Sequence, residues 1–247
     1  MTEQIKILFL AANPADRTRL ELSREYQAIQ DERLRGKHRD RFELLLPQFA
    51  VRISDFTSAL IREQPHVVHF SGHGSVEQGI AFEGVGRSSR PAGREELTEL
   101  FKVLARNARL IFLNACHTGE QAEILGRIFD YTIGTSSRIL DVDARKFSAA
   151  FYSALFDGAT VPGAFQSAQS ALDNRVRAIS VLSQRTTADN TVPFVSQVLP
   201  RARPKGNFGS VHIQTIVKDD GKVGSIINVP GGNVNINPPP RKPRRKD

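Results

Sequence analysis

The 247-residue sequence predicts a layered α/β fold, a mostly parallel sheet covered by helices on both sides. Two observations predict it. Apolar runs of strand length alternate with amphipathic segments of helical period from the N-terminus to about residue 200. The central runs are apolar at successive rather than alternate positions, the pattern of strands buried on both faces. Such strands are joined by crossover helices, and functional groups collect where their carboxyl ends meet solvent.

Taken in order, Ile5–Ala12 (IKILFLAA) is a buried strand broken by Asn13, Pro14 and Asp16, and an amphipathic helix over Arg17–Arg35 follows. Phe42–Val51 is a weaker strand, because Pro47 demotes it toward an edge or a loop. Ser54 caps a helix to about Glu63, with Phe56, Leu60 and Ile61 on one face. His66–Phe70 and Gly79–Phe82 are strands, Arg94–Arg106 is a helix and Leu110–Asn114 a strand. Helix Gln121–Phe129, strand Tyr131–Gly134 and helices Ala144–Phe156 and Pro162–Val176 complete a domain over residues 1–200. Residues 201–209 (RARPKGNFG) read as a linker. Residues 210–237 alternate apolar and polar positions around DDGK and PGGN, which describes a small β-hairpin or meander without a core of its own. Residues 238–247 (PPPRKPRRKD) are expected to be a disordered basic tail.

A composition of 40% hydrophobic and 24% charged residues is that of a globular chain with room for one large domain and an appendage. The single cysteine excludes an internal disulfide and fits a reducing, cytoplasmic setting. The N-terminal apolar run is too short to span a membrane and lacks the basic front of a signal peptide, so no membrane association is expected. The net charge of +8 suggests nucleic acid at first sight. Its distribution argues against it: the final RKPRRKD holds five basic residues and one acidic one, so +4, half the total, sits in a proline-bearing tail.

Two strand ends carry the chemistry. HVVHFSGHGS runs from a buried strand into His73 framed by Gly72 and Gly74, and LIFLNACHTGE repeats the design with Cys116, the only cysteine, at the strand end. A thiol and an imidazole on neighbouring strand ends are the minimal apparatus of a cysteine nucleophile. The glycines leave room for a substrate backbone, and the amides of Gly74 and Cys116 converge where an oxyanion could sit. The plainer readings differ residue by residue. A cysteine after an apolar strand is by itself most often core, and the glycine frame around His73 weighs against that here. His69 reads as a satisfied core histidine, His66 as surface and His117 as structural. No pair among His69, His73, Cys116 and His117 has the spacing of a closed zinc site, and no phosphate loop follows a strand.

HFSGHG followed by LNACHTGE resembles the paired histidine and cysteine motifs of the caspase-like peptidases, the group of caspases, separases and bacterial CHAT domains. The separation of His73 and Cys116, 116 − 73 = 43 residues, is near the roughly fifty of caspase-type chains. NACHTG has the plan of the caspase QAC-x-G signature with one extra residue before the glycine, and YTIGTSSRILDVDARKFSAAFYSALFDG resembles the CHAT pattern that follows.

The resemblance implies a caspase-like three-layer sandwich and a cysteine endopeptidase. It makes His73 the general acid/base, Cys116 the nucleophile and the amides of Gly74 and Cys116 the oxyanion hole, with no third acidic residue, no cofactor and no metal. The implied substrate is a protein and the implied setting a bacterial defence or signalling system. A regulatory or sensor protein is expected to engage the C-terminal segment. The specificity pocket is expected at the turn SSRILDVDAR, with Asp141 and Asp143 at its mouth favouring arginine, then lysine, before the scissile bond. Rival readings of that turn are Asp141 as a helix cap and Arg138 as the selector of an acidic residue. Arg87, Arg90, Arg94 and Arg185 would then be candidate self-cleavage points. The rival function is a catalytically silent interaction module on the same fold.

Overall fold

The computed structural model describes residues 4–104, 107–197, 212–217, 223–229 and 232–236. The chain divides into two compact units, residues 1–200 and 201–247. The first opens with β1 (Ile5–Ala11), buried throughout except at Lys6, and continues through α1 (Leu22–Arg35), β2 (Phe42–Leu44) and α2 (Ile53–Glu63) to β3 (Val67–Ser71). A small antiparallel sheet of β4 (His73–Ser75), β5 (Gly79–Glu83) and β6 (Ser89–Ala92) follows, then α3 (Arg94–Leu104), β7 (Leu110–Asn114) and α4 (Gly119–Leu125). The rest is β8 (Tyr131–Thr135), α5 (Asp141–Phe156), α6 (Val161–Ser170), α7 (Asn174–Ile179), β9 (Ser180–Gln184) and α8 (Phe194–Gln197).

The six main strands lie in the order β2-β1-β3-β7-β8-β9. All neighbours are parallel except β9, which runs antiparallel to β8 at the edge. The order runs outward from β1 in both directions, so the crevice between the ends of β1 and β3 is the switch point of the sheet. Side chains alternate between the two faces as the pleat requires. Ile7, Phe9, Val67, Leu110 and Phe112 join one core with Ile29 of α1, Phe151 and Phe156 of α5 and Phe165 of α6. On the other face Phe70 lies 5.1 Å from Phe82, which meets Phe56 of α2 at 5.4 Å, and Phe56 meets Phe101 of α3 at 5.3 Å. The predicted layered α/β fold with its mostly parallel sheet is the one found.

Several boundaries differ from the sequence reading, each for a local reason. α1 begins at Leu22 rather than Arg17, because residues 13–21 form a loop tied by Asn13, whose side chain bonds the Leu20 amide and carbonyl. β2 stops at Leu44, and past Pro47 only a single bridge joins Gln48 to Leu10. α2 begins before Ser54; the Asp55 carboxylate accepts from the Arg52 amide at 3.0 Å and fixes the start there. α5 begins at Asp141, three residues before the expected Ala144, and the single helix expected over Pro162–Val176 is split into α6 and α7. β4, β6 and the half-exposed edge strand β9 were not anticipated.

In the second unit β10 (His212–Val217), β11 (Val223–Val229) and β12 (Gly232–Ile236) form a three-stranded antiparallel meander. The expected linker 201–209 and basic tail 238–247 lie outside the described residues.

Candidate active site

β3 and β7 are paired in parallel with Ser71 opposite Asn114, and the Gly72 amide carries the ladder one step further by donating to the Asn114 carbonyl at 3.2 Å. The chain then leaves the main sheet through a tight passage. A Cβ on Gly72 would stand 2.8 Å from the Ala12 carbonyl oxygen, and one on Gly74 would run into the carbonyl oxygen of Cys116. The two glycines of the histidine motif are therefore needed for close approach, and the His73–Ser75 backbone lies directly against that of Cys116. Equal offsets of two residues from the paired Ser71 and Asn114 bring His73 and Cys116 to neighbouring strand ends.

His73 is half-buried, and its Nε2 lies 2.7 Å from the Thr18 carbonyl oxygen in the β1–α1 loop. A carbonyl only accepts, so Nε2 carries the hydrogen and Nδ1 is left as the basic nitrogen. Burial pushes the His73 pKa below its ordinary 6.5; the Thr18 bond raises it, the charge of Arg17 lowers it, and Asp16 and Asp141 raise it. The net direction is down, so the ring is neutral at pH 7. Cys116 is partly exposed, its Sγ 3.8 Å from the Ile139 carbonyl oxygen. His117 takes a left-handed conformation (φ 57°), its amide donating to the Ser137 carbonyl at 3.2 Å. That turns the chain sharply after the thiol and fits the structural role read for it.

The structure thus brings His73, Gly74 and Cys116 together. Asp141 stands in the first turn of α5, near enough for its charge to act on His73, and its Oδ2 is 3.5 Å from Arg145 of the same helix. It does not cap the helix, for no side chain accepts an amide at the α5 N-terminus. Asp143 lies in the same turn and is not among the charges that act most on His73. Leu140 and Val142, on either side of Asp141, are 66% and 44% exposed. Among the described residues no group of three or more His, Cys, Asp and Glu is placed to hold a metal ion, and no helix is long and apolar enough to cross a membrane.

Beneath His73 and Cys116 lies a polar cluster. The Glu25 carboxylate, 2% exposed, accepts from His69 Nε2 at 3.1 Å, Ser71 Oγ at 2.5 Å, Asn114 Nδ2 at 2.5 Å and Ser148 Oγ at 2.7 Å. His69 is stacked between Phe9 and Phe112, at ring separations of 4.9 and 4.6 Å, and its Nδ1 meets the Tyr152 hydroxyl at 3.2 Å. Burial alone would raise the Glu25 pKa, but the bond and charge of His69 and the hydroxyls of Ser71 and Ser148 outweigh it and hold the carboxyl below its ordinary 4.5. The ionised cluster therefore stabilises the fold above pH 4.5, and that contribution is lost as the pH falls from 4.5 through the lowered value. Thr18 gives no sequence signal, because its contribution is a main-chain oxygen. Glu25 has one: it falls on the stripe of Leu22 and Ile29, three and four residues away, where an apolar residue is expected.

The family model of the CHAT domain matches residues 7–180, most of the first unit. The chain belongs to the CHAT domain family. A protein of Gillisia limnaea named a probable protease is 25% identical over 154 residues, covering 62% of this chain and 27% of its own. A Roc-COR-CHAT protease of an unknown prokaryotic organism is 24% identical over 182 residues, covering 71% of this chain and 17% of its own. The CHAT chain thus spans about a quarter or less of these relatives' lengths. The crystal structure of the Arg-specific cysteine proteinase gingipain R shares its fold, with a TM-score of 0.55 at 13% identity over 95% of this chain and 61% of that one. The complex of the pro- and mature domains of Porphyromonas gingivalis RgpB gives 0.50 at 12% identity over 95% and 62%. The fold is caspase-like.

In an NMR titration, the His73 imidazole is expected to protonate below 6.5, its ordinary value. Arg17→Ala removes a repelling positive charge and is expected to move that midpoint upward. An unchanged midpoint would show that Arg17 does not act on the ring.

Proposed function

We propose that this CHAT domain is a cysteine endopeptidase working through Cys116 and His73. The observation that carries the reading is the contact of the Gly74 backbone with Cys116, together with the Thr18 carbonyl on His73 Nε2, which leaves Nδ1 free to take a proton. In the reaction the Cys116 thiol passes its proton to His73 and the sulfur attacks the scissile carbonyl carbon. The resulting oxyanion is received by the amides of Gly74 and Cys116. The imidazolium returns the proton to the leaving amine as the C–N bond breaks. Water, deprotonated by the same imidazole, then cleaves the thioester and restores the thiol.

Arginine before the scissile bond is the preferred residue on this reading, with lysine second. Support comes from Asp141, whose charge reaches His73 and whose exposed apolar neighbours Leu140 and Val142 would cover the stem of a long side chain. Its bond to Arg145 is long at 3.5 Å, so a substrate guanidinium can compete for the same carboxylate. Asp143 is the second carboxylate of that turn. Among the arginines considered for self-cleavage, Arg90 is held by both oxygens of Glu96, Arg94 by Glu120 and Arg185 by Asp130. Arg87, exposed in a turn with φ 63°, is the one we assign.

The C-terminal meander is read as the docking element of a regulatory protein by strand addition, in a bacterial defence or signalling system. The named relatives, much longer than this chain, are consistent with a protease domain working alongside further domains.

Three outcomes follow. Cys116→Ala and His73→Ala should each lower peptide hydrolysis by about 10³-fold or more while melting like the wild type, and the double variant should be little worse than either. Turnover kept by Cys116→Ala would end the peptidase reading, and no turnover in the wild type on a diverse peptide library would favour the silent module. On peptides differing only before the scissile bond, arginine should lead and Asp141→Asn should reduce that lead by about tenfold; a preference for aspartate would overturn the pocket assignment. Finally, removing residues 204–247 should leave hydrolysis of a short peptide unchanged and abolish capture of a regulatory partner; loss of the folded domain would show that the meander is part of its core.

A further inference from the structure

We propose that Glu25 is a positioning residue for the Cys116–His73 pair, acting as the common anchor of the segments that hold it. The proposal rests on the peptidase reading for its consequence and on the buried cluster for its physical basis. The carboxylate bonds to both central strands, with Ser71 and His69 of β3 and Asn114 of β7 all donating to it. Oε2 receives the Ser71 hydroxyl at 2.5 Å, and Oε1 receives the Asn114 amide at 2.5 Å. Ser71 and Asn114 are directly paired across β3 and β7, and each stands two residues before a member of the dyad.

The other two segments that touch the dyad converge on the same carboxylate. Glu25 lies on α1, seven residues after Thr18, whose carbonyl holds His73 Nε2. Ser148, which donates to Glu25 Oε1 at 2.7 Å, lies on α5, nine residues after Ile139, whose carbonyl meets Cys116 Sγ. Four elements thus meet at one charge: β3 and β7 run into His73 and Cys116, and α1 and α5 follow the loops that carry the Thr18 and Ile139 carbonyls.

A buried carboxylate is costly to desolvate, and a packed apolar residue in its place would serve stability as well or better. What an apolar residue cannot do is fix the relative register of four elements through directional bonds. All four donors to Glu25 are satisfied on it, and His69, held on its other side by Tyr152, leaves no slack in the carboxylate's orientation. The dyad depends on such placement, since displacement of a reacting group by about 1 Å can cost about a hundredfold in rate.

The test uses the reactivity of Cys116, the only cysteine of the chain, so that no substrate is required. The rate of alkylation by iodoacetamide is followed against pH for the wild type, His73→Ala, Glu25→Gln and Ser148→Ala, alongside thermal melting and kcat and KM on the best peptide. Ser148→Ala deletes one oxygen, and with it one of the four bonds to Glu25 and the weaker bond from Asn114 at 3.3 Å, and it decides the matter if Glu25→Gln fails to fold. The expected result is a folded Ser148→Ala whose alkylation profile moves toward that of His73→Ala, with kcat down about tenfold and KM within about twofold. A folded variant with the wild-type profile and wild-type kcat would overturn the proposal. If the wild type cleaves nothing yet His73→Ala still changes the alkylation profile, the peptidase reading fails and the same curves decide the role of Glu25. If His73→Ala leaves the profile unchanged, the dyad itself is uncoupled and both fail.

Discussion

The parallel pairing of β3 with β7, Ser71 against Asn114, sets everything that matters at the carboxyl edge of the sheet. A slip of one residue would turn every side chain of one strand to the opposite face. Phe112 and Leu110 would leave the aromatic core under α1 and α5, and Asn114 would point away from Glu25. The same slip would part Cys116 from the Gly74 backbone it now touches. Core packing and the geometry of the thiol are therefore consequences of a single register, and the hydrophobic layer that stabilises the sheet also holds the site in place.

Polar chemistry under an apolar sheet needs its own account. His69 and Glu25 sit where Val67, Leu110 and Phe112 make the surroundings dry. They persist there because each hydrogen-bonding atom named above finds a partner and because the aromatic rings of Phe9 and Phe112 cover both faces of the imidazole. With Nε2–H donating to Glu25 and Nδ1 bonded to the Tyr152 hydroxyl, both ring nitrogens of His69 have a partner. At the opposite end of the sheet a second buried carboxylate, Asp130, ties Arg109 at 2.5 Å to Arg185 at 2.8 Å, clamping the start of β7 to the end of β9. The sheet is thus fixed by charge at both ends and by apolar packing between them.

How much of this could be read in the sequence differs from residue to residue. The placement of His73, Gly74 and Cys116 at neighbouring strand ends was legible because contiguous apolar runs end there in glycine-framed polar residues. The parallel sheet was legible from the same runs. The start of α1 was not, since Arg17–Glu21 have helical composition and long-range bonds hold them in a loop, Asn13 to Leu20, Thr18 to His73 and Arg17 to Ser89. β9, short and half-exposed, looks like the tail of a helix until β8 is there to pair with it. Glu25 is one more charge on a highly charged helix unless its place on the apolar stripe is noticed. Thr18 lay beyond any such reading, because main-chain atoms have no residue type.

That last feature has a consequence for how the site tolerates change. An imidazole oriented by a carboxylate is lost when the carboxylate is replaced, but one oriented by the Thr18 carbonyl is indifferent to which side chain position 18 carries. Side-chain scanning there is blind to the interaction. What the interaction does constrain is the count of residues between the end of β1 and the start of α1, since adding or deleting one would carry a different carbonyl past the ring. Information about His73 is thus stored in the length of a loop and not in its spelling.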